Sequence, residues 1–208
     1  MSQHYSTEQD LKERYGGILE SPYISKAHRH LLDGFKVTGL RNILKDFHFK
    51  NILDVGCGFG EYTTLDKGKF TGVDNSFPRV KFARRRYQDA RFIQADATRL
   101  PFKDKSFDAV LLANTIHHLN DEAVKIGLEE MKRVSRQYLI IDDCVKWTDQ
   151  TRVSQFFYSL DRGTMFRTPD EIENIFKEIS GLKLILKNNH RTFPGLYVHA
   201  VFVLQVEN

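Results

Sequence analysis

The chain of 208 residues is 41% hydrophobic and 28% charged, and its 31 basic and 27 acidic side chains give a net charge of +4. This composition excludes a wholly disordered or fibrous chain, and the length predicts a single globular domain over residues 1–208. The small positive charge allows an anionic partner without arguing for one.

The lack of a recognisable targeting segment and the use of cysteine both bear on the cellular compartment of the protein. No apolar run approaches the roughly 20 residues that a membrane-spanning helix requires, and the first residues lack the basic-then-apolar order of a secretory signal. The two cysteines, Cys57 and Cys144, form no CxxC pair, and with the histidines they make no zinc-ligand spacing. We therefore expect a soluble, cytoplasmic protein with no disulfide framework, no membrane span and no bound metal.

Short apolar runs alternate with helical stretches along the middle of the chain. The runs are Asn51–Val55, Phe70–Asp74, Arg91–Asp96, Phe107–Leu112 and Gln137–Asp142. Residues 78–89 and 121–135 lie between them and carry apolar side chains at helical spacing. Near-continuous apolar runs are typical of strands covered on both faces, and their alternation with helices predicts βαβ units in an α/β, doubly wound sheet.

The segments outside this pattern are assigned by position and composition. They are an N-terminal helical cap over 1–47, a core over 48–142, a helical insertion over 146–167 with its helix at 146–162, and a last helix with a strand pair over 168–208. Thr168, Pro169 and Glu171 make a capping box, which predicts that the last helix begins at Pro169. The two final apolar runs, Leu182–Lys187 and Tyr197–Gln205, are joined by a loop short enough for an antiparallel pair.

A glycine-rich turn follows the first apolar run, at Gly56, Gly58 and Gly60. Glycines at this place let the backbone approach a ligand that side chains would exclude, although the same residues also fit a bare turn. The GxGxG spacing differs from the GxGxxG of dinucleotide-binding folds, and no Walker-type lysine follows it. Asp74 and Asp96 end the second and third runs, so one sheet edge would carry a carboxylate for a ribose diol and another for a purine amine.

Taken in order, these motifs resemble those of class I S-adenosylmethionine (SAM)-dependent methyltransferases. The likeness covers about residues 50–142 and is carried by Leu53-Asp54-Val55-Gly56-Cys57-Gly58-x-Gly60, Gly72-Val73-Asp74-Asn75-Ser76, Gln94-Ala95-Asp96-Ala97, Leu100-Pro101-Phe102 and Ser106-Phe107-Asp108 through Ile116-His117-His118-Leu119. The motifs are most similar to the small-molecule branch, labelled type 11 or ubiquinone/menaquinone-biosynthesis-like. This resemblance implies a Rossmann-like, seven-stranded sheet in the order 3-2-1-4-5-7-6 with strand 7 antiparallel.

The resemblance also implies SAM as the cofactor, with S-adenosylhomocysteine as its product. The implied contact residues are Asp54, Gly56, Cys57, Gly58, Asp74, Asn75, Ser76, Asp96, Ala97 and Asn114, with Arg29 and Tyr15 as further candidates near the cofactor carboxylate. Within this set Asp74 would hold the ribose hydroxyls, Asp96 would accept from the adenine amine, and Asn114 would lie close to the sulfonium.

His118 is the candidate general base. It follows the fourth run on the cofactor edge and matches a histidine that is frequent in the family, and an imidazole titrates near neutrality. A histidine hydrogen-bonded at a strand-to-helix corner is the alternative for this position. Asp142 and Asp143 resemble a metal pair, but a role at the end of the fifth strand is favoured.

Aromatic side chains of the insertion are candidates for the acceptor pocket, because insertions at this place roof that pocket in the family. They are Trp147, Phe157 and Tyr158, and a role in the core is equally consistent with their pattern.

The sequence predicts a methyltransferase that moves a methyl group from SAM to oxygen, nitrogen or carbon of a small organic acceptor. The alternatives are an RNA methyltransferase, which would use the basic face of the 78–89 helix, and a non-catalytic SAM-binding protein. We expect no nucleic-acid partner, since the sequence shows no RNA-binding appendage and has Asn114-Thr115-Ile116-His117 in place of an Asn-Pro-Pro-Tyr-type motif. The Pro-Gly-Gly turn that is common in the family before the fifth strand is replaced by residues 133–137.

Overall fold

The computed structural model describes residues 40, 44, 47–62, 69–160, 163–191 and 195–207. The predicted contacts of Tyr15 and Arg29 therefore lie outside the described residues, as does most of the predicted cap over 1–47. Within that cap, Leu40 and Leu44 are helical and buried against the sheet.

One sheet of seven strands organises the described part of the chain, in the order β3-β2-β1-β4-β5-β7-β6. The strands are β1 Ile52–Val55, β2 Phe70–Asp74, β3 Arg91–Gln94, β4 Phe107–Ala113, β5 Ser135–Val145, β6 Leu182–Arg191 and β7 Val198–Val206. Strands β1 to β5 are parallel, and β7 is antiparallel to both of its neighbours. The predicted strand order and the antiparallel seventh strand are confirmed.

Four α-helices and one short turn of 3₁₀-helix have both of their ends within the described residues. They are α1 Phe77–Arg86, α2 Asp121–Val134, α3 Arg152–Leu160, α4 Pro169–Lys177 and the 3₁₀ turn Ile116–His118. The capping box at the start of α4 is confirmed: Glu171 N donates to Thr168 Oγ1 at 3.2 Å, and Thr168 N donates to Glu171 Oε2 at 2.7 Å. No described helix is long and apolar enough to cross a membrane.

The predicted helix over 146–162 is wrong at its start, because α3 begins only at Arg152. The backbone N–H of Lys146 instead donates to the carbonyl of Arg167 at 2.9 Å, which ties the chain after β5 to the segment before α4. Strands β5 and β6 are also longer than their apolar runs. The residues added at the carboxyl ends of both strands pair with β7, as in Cys144 with His199 and His190 with the same His199, so strand pairing rather than hydrophobicity extends these ends.

The two faces of the sheet bury separate apolar clusters. One face packs Leu53, Val110 and Phe202 against α2 and α4, and the other packs Leu111 with the buried Leu40. Both faces of the central strands are therefore covered, as their near-continuous apolar runs predict. The carboxyl ends of β1, β2, β4 and β5 all lie at one edge, which is where open α/β sheets bind ligands.

Arg133 occupies the place of the missing Pro-Gly-Gly turn and ties α2 to the segment after β3. Its Nε and Nη2 each donate to the Glu130 carboxylate at 2.8 Å, and its guanidinium also reaches the carbonyls of Leu100 and Phe102 and the carboxylate of Asp104. The hydrogen bonds from Arg133 hold the pKa of Glu130 below its usual value and raise that of the guanidinium.

Candidate functional site

The glycine turn after β1 presents bare backbone at the carboxyl edge of the sheet. Gly56 and Gly58 have φ values of +71° and +53°, a region that favours glycine. A Cβ on Gly56 would lie 2.4 Å from Thr115 Oγ1, so this turn packs closely on the end of β4. A Cβ on Gly58 would meet no atom of the described residues within 4 Å, so none of those residues covers the backbone there.

Asp74 fixes this turn to the end of β2. Its buried carboxylate accepts from Gly58 N at 2.9 Å through Oδ2 and from Ser76 N at 2.9 Å through Oδ1. Cys57 N also donates to Val73 O at 2.9 Å. The structure thus brings together four predicted site residues (Cys57, Gly58, Asp74 and Ser76), and each carboxylate oxygen retains the capacity to accept a further hydrogen bond.

Cys57 is buried beneath the turn and its thiol is held neutral. Burial raises the pKa of the Cys57 thiol well above its usual range, and the charges of Asp54 and Asp74 raise it further. Asp54 is itself buried in β1, with 1% of its surface exposed. Cys57 therefore contributes to the shape of the turn rather than a nucleophile, and its backbone N–H anchors the turn to β2.

The predicted adenine contacts lie one strand further along the edge. Asp96 and Ala97 follow β3, and Asp96 Oδ1 accepts from both the backbone N–H and the hydroxyl of Thr98, at 2.8 and 2.7 Å. Gln94 Nε2 donates to the carbonyl of Asn75 at 3.0 Å, which joins the ends of β2 and β3.

Asn114 directly follows β4 and adopts a left-handed conformation, with a φ of +52°. Its Nδ2 donates to the hydroxyl of Tyr62 at 2.9 Å, and its backbone N–H donates to Asp142 O at 2.8 Å. Asn114 thereby links the ends of β4 and β5 to the segment after the glycine turn. Sequence reasoning missed Tyr62, since nothing in its neighbourhood marks it out from other aromatic residues.

The two adjacent histidines occupy different environments. His117 is buried, its Nδ1 contacts Asp143 Oδ1, and its ring stacks on Phe166 at a centroid distance of 5.1 Å. His118, the candidate base, is exposed, with its ring centroid 4.2 Å from that of His117. The alternative of a histidine hydrogen-bonded at a strand-to-helix corner thus describes His117, whereas His118 is the residue predicted as the base.

Asp143 organises the turn that carries both histidines. Its Oδ2 accepts from the backbone N–H groups of Thr115 and Ile116 at 2.8 and 2.6 Å, while Oδ1 contacts His117. Across the described ranges, no group of three or more His, Cys, Asp or Glu residues is placed to hold a metal ion. Asp143, near the end of β5, therefore accepts hydrogen bonds from the protein's own backbone.

The three aromatic candidates of the insertion lie in one cluster at the ends of β5 and β7. The ring of Tyr158 stacks on Tyr197 at 4.7 Å and lies 5.8 Å from Trp147, and its hydroxyl donates to Val145 O at 2.8 Å. The carbonyl of Phe157 accepts from the Tyr197 hydroxyl at 2.9 Å. The cluster also contacts Cys144, so it borders the strand end that Asn114 occupies.

A parallel sheet of this order, with an antiparallel seventh strand and a glycine turn held by an acid at the end of β2, defines the class I methyltransferase fold. Residues 53–140 match the family model described as "Methyltransferase domain", type 11. Over those residues the chain is similar to this family of SAM-dependent methyltransferases, whose cofactor is SAM.

Curated relatives match part of the chain. A fatty-acid O-methyltransferase of Mycolicibacterium smegmatis is 42% identical over 79 residues, which are 35% of this chain and 29% of that protein. A probable tRNA methyltransferase 9B of Homo sapiens is 38% identical over 85 residues, 40% of this chain and 18% of that protein. The chain thus spans less than a third of the length of either relative.

A solved structure extends the likeness to the whole fold. The magnesium protoporphyrin IX methyltransferase of Synechocystis PCC 6803, determined with bound S-adenosylhomocysteine, superposes with a TM-score of 0.70. The match covers 97% of this chain and 95% of the other, at 19% sequence identity. At this level of identity the likeness concerns the fold.

Proposed function

We propose that the chain is an SAM-dependent methyltransferase that transfers a methyl group to oxygen, nitrogen or carbon of a small organic acceptor. The observation that carries this proposal is the open backbone at Gly58, held in place by the buried Asp74. The φ at Gly58 is positive, no described residue comes within 4 Å of where its Cβ would stand, and a fixed carboxylate lies beside it. These features fit a ligand that needs both close backbone approach and a hydrogen-bond acceptor.

Different residues of this sheet edge are proposed to contact different parts of the cofactor. In the proposal, Asp54, Gly56, Cys57 and Gly58 face the methionine and ribose part, Asp74 with Asn75 and Ser76 holds the ribose hydroxyls, and Asp96 with Ala97 faces the adenine. Asn114 stands beside the sulfonium. When bound, SAM supplies an electrophilic methyl group.

Orientation of the acceptor is the main contribution expected from the protein, since correct positioning alone is worth roughly 7–11 kcal/mol. Trp147, Phe157 and Tyr158 are proposed to exclude water around the acceptor. The Tyr158 hydroxyl already donates to Val145 O, so this residue offers its ring. We propose that the single domain consists of a cap over 1–47, a core over 48–142, an insertion over 146–167 near the acceptor, and a last helix with a strand pair over 168–208.

His118 is proposed as the general base for acceptors that lose a proton. Its ring is exposed at the carboxyl edge, on a turn that Asp143 and His117 hold in place. A ring nitrogen of His118 would take the proton from the acceptor atom, a contribution of about 10²–10⁴-fold in rate. Acceptors that carry no such proton would not need it.

Transfer of a methyl group to RNA is the second candidate function, and the likeness to a tRNA methyltransferase favours it. The basic residues of α1 would contact phosphates in that case. Part of this basic surface is already engaged, because Arg84 Nε donates to Phe92 O at 2.8 Å and Arg79 Nη1 lies 4.0 Å from Asp74 Oδ2. The small-molecule acceptor is therefore the function that we favour.

A methyl-transfer assay tests these proposals. Purified protein is incubated with methyl-labelled SAM and either extracted metabolites or total RNA, and the label is followed in each fraction. We expect label in a small molecule, with activity abolished in Gly58→Ala and retained in Gly181→Ala. Gly181 has a φ of +74° and lies before β6, at the opposite sheet edge, so this control carries the same backbone strain. Label in RNA would establish the second function, and no transfer to either fraction would refute both.

A further inference from the structure

The antiparallel pairing of β5 and β7 places a thiol against an imidazole. Cys144 and His199 are partners in the register, and Cys144 Sγ lies 3.0 Å from His199 Nε2. Both residues are buried, with 7% and 1% of their surfaces exposed. This distance is within hydrogen-bonding range of a sulfur atom, so a proton can move between the two groups.

The second nitrogen of the same imidazole faces a carboxylate. Asp142 precedes Cys144 by two positions, so strand alternation places both side chains on one face of β5. Asp142 Oδ1 lies 3.3 Å from His199 Nδ1, and Asp142 is fully buried. Carboxylate, imidazole and thiol therefore follow one another in the order that activates a nucleophile in unrelated folds.

Further side chains lie against this arrangement. The ring of His190 on β6 stacks on that of His199 at 5.7 Å, and the amide oxygen of Asn114 lies 3.9 Å from Cys144 Sγ. Asp143 lies on the opposite face of β5, where it contacts His117. Asp142 supplies the carboxylate that faces the Nδ1 side of the His199 ring.

We propose that Cys144 is an activated thiol that reacts with small, soft electrophiles at the carboxyl edge of the sheet. The thiol proton passes to His199 Nε2, and Asp142 stabilises the resulting imidazolium. The sulfur then forms a bond to an electrophilic carbon while the bond from that carbon to its leaving group breaks, and the leaving group departs with the electron pair. The reaction needs no SAM, so it is independent of the proposed methyl transfer.

Alkylation by iodoacetamide without SAM tests this proposal in the wild-type protein. Labelling at Cys144 and Cys57 is followed separately by peptide mass spectrometry from pH 5 to pH 9, and the urea-unfolded chain supplies the reference rate. A thiol that has passed its proton to an imidazole is present as thiolate at pH 6, where an unfolded thiol is almost entirely neutral, although the intrinsic nucleophilicity of the activated thiolate is lower. We expect folded Cys144 to react about tenfold faster than the unfolded thiol at pH 6, with little change up to pH 8.

Cys57 is the internal control, because burial holds its thiol neutral and we expect no labelling there in the folded protein. Two results would overturn the proposal: a Cys144 rate that rises with pH in parallel with the unfolded chain, or no labelling of Cys144 at pH 6. The first describes a neutral thiol that merely donates to the imidazole, and the second a thiol that electrophiles do not reach.

Substitutions test the role of each neighbouring side chain in the reactivity of Cys144. His199→Gln is expected to reduce labelling of Cys144 at pH 6 by at least about tenfold, and Asp142→Asn by several-fold. His190→Gln, which alters the neighbouring ring but neither end of the arrangement, is expected to leave the rate within threefold of wild type. Thermal unfolding confirms that each variant is folded. A His199→Gln protein that is folded and labels at the wild-type rate would refute the role of the imidazole, and the wild-type pH profile decides the matter if this variant does not fold.

Discussion

The backbone N–H of Gly58 donates a 2.9 Å hydrogen bond to the buried carboxylate of Asp74, across the gap between the ends of β1 and β2. The glycine turn is thereby shaped by the same group that is proposed to hold the ribose. A substitution at Asp74 consequently acts on the ligand contact and on the turn together.

Asp74→Ala is expected to weaken SAM binding by on the order of a hundredfold or more, since charge-assisted hydrogen bonds contribute roughly 1.5–3 kcal/mol each. Isothermal titration calorimetry measures this affinity. Asp89→Ala removes an exposed carboxylate and is the matched control, with affinity expected within twofold of wild type. Unchanged SAM affinity in folded Asp74→Ala protein would reject the site, and NAD binding in its place would reject the cofactor.

Substitutions of the two adjacent histidines should affect the stability of the protein to different extents. His117→Ala removes the buried partner of Asp143 and is expected to lower the free energy of unfolding by about 3 kcal/mol. His118→Ala leaves the buried contacts in place, and its unfolding free energy should stay within about 0.5 kcal/mol of wild type. Urea titrations of the two variants check this difference, and equal destabilisation would contradict it.

His118→Ala is also expected to lower kcat by at least about a hundredfold while the affinity for SAM is unchanged, if the acceptor loses a proton to His118. Wild-type activity should rise with pH as the imidazole loses its proton. The measurement is a pH–rate profile of both proteins with the acceptor found in the transfer assay. A loss under tenfold together with a flat profile would leave catalysis to positioning alone.

Glu130 should make the stability of the protein depend on pH. Its pKa lies below the usual value of 4.5, chiefly because of the hydrogen bonds from Arg133. Its contribution to folding is therefore fully present above the pKa of the unfolded chain and is lost as the pH falls through the lower pKa of the folded state. We expect Glu130→Gln to cost roughly 1.5 kcal/mol at pH 7 and much less near pH 3, by urea titration at both pH values. Glu129→Gln, at the neighbouring position, is the control. A loss of unfolding free energy in Glu130→Gln that is the same at both pH values would contradict the prediction.

The Tyr158 hydroxyl gives a test of the aromatic cluster. Tyr158→Phe leaves the ring stacked on Tyr197 but deprives Val145 O of its donor, at an expected cost of about 1–3 kcal/mol in unfolding free energy. Phe156 is exposed, so Phe156→Ala should change stability by less than about 0.5 kcal/mol. Thermal unfolding compares the two, and a neutral Tyr158→Phe would show that the hydroxyl bond contributes nothing.

Local patterns predicted the frame of this fold and the edge at which its site lies. Apolar runs marked the five parallel strands, and the resemblance supplied their order and the residues of the glycine turn. The contacts made by distant strands were not predictable in the same way. Asp142 and Asp143 are adjacent in sequence, yet strand alternation sends one to His199 and the other to His117, which only the pairing of β5 with β7 and the turn after β4 reveal. Arg133 likewise finds partners about 30 positions away.

Strand β6 ends the sheet, and its register with β7 shifts between Leu184 and Leu186. An outermost strand exposes a row of unpaired backbone groups on which another chain can assemble, and a break in register with lysines beside it disfavours such assembly. Lys183 and Lys187 flank the shift, while Ile185 within it remains exposed. The irregularity thus disfavours pairing of this edge strand with another chain. A variant that straightened β6 or replaced its lysines by apolar residues would be prone to form fibres at high concentration.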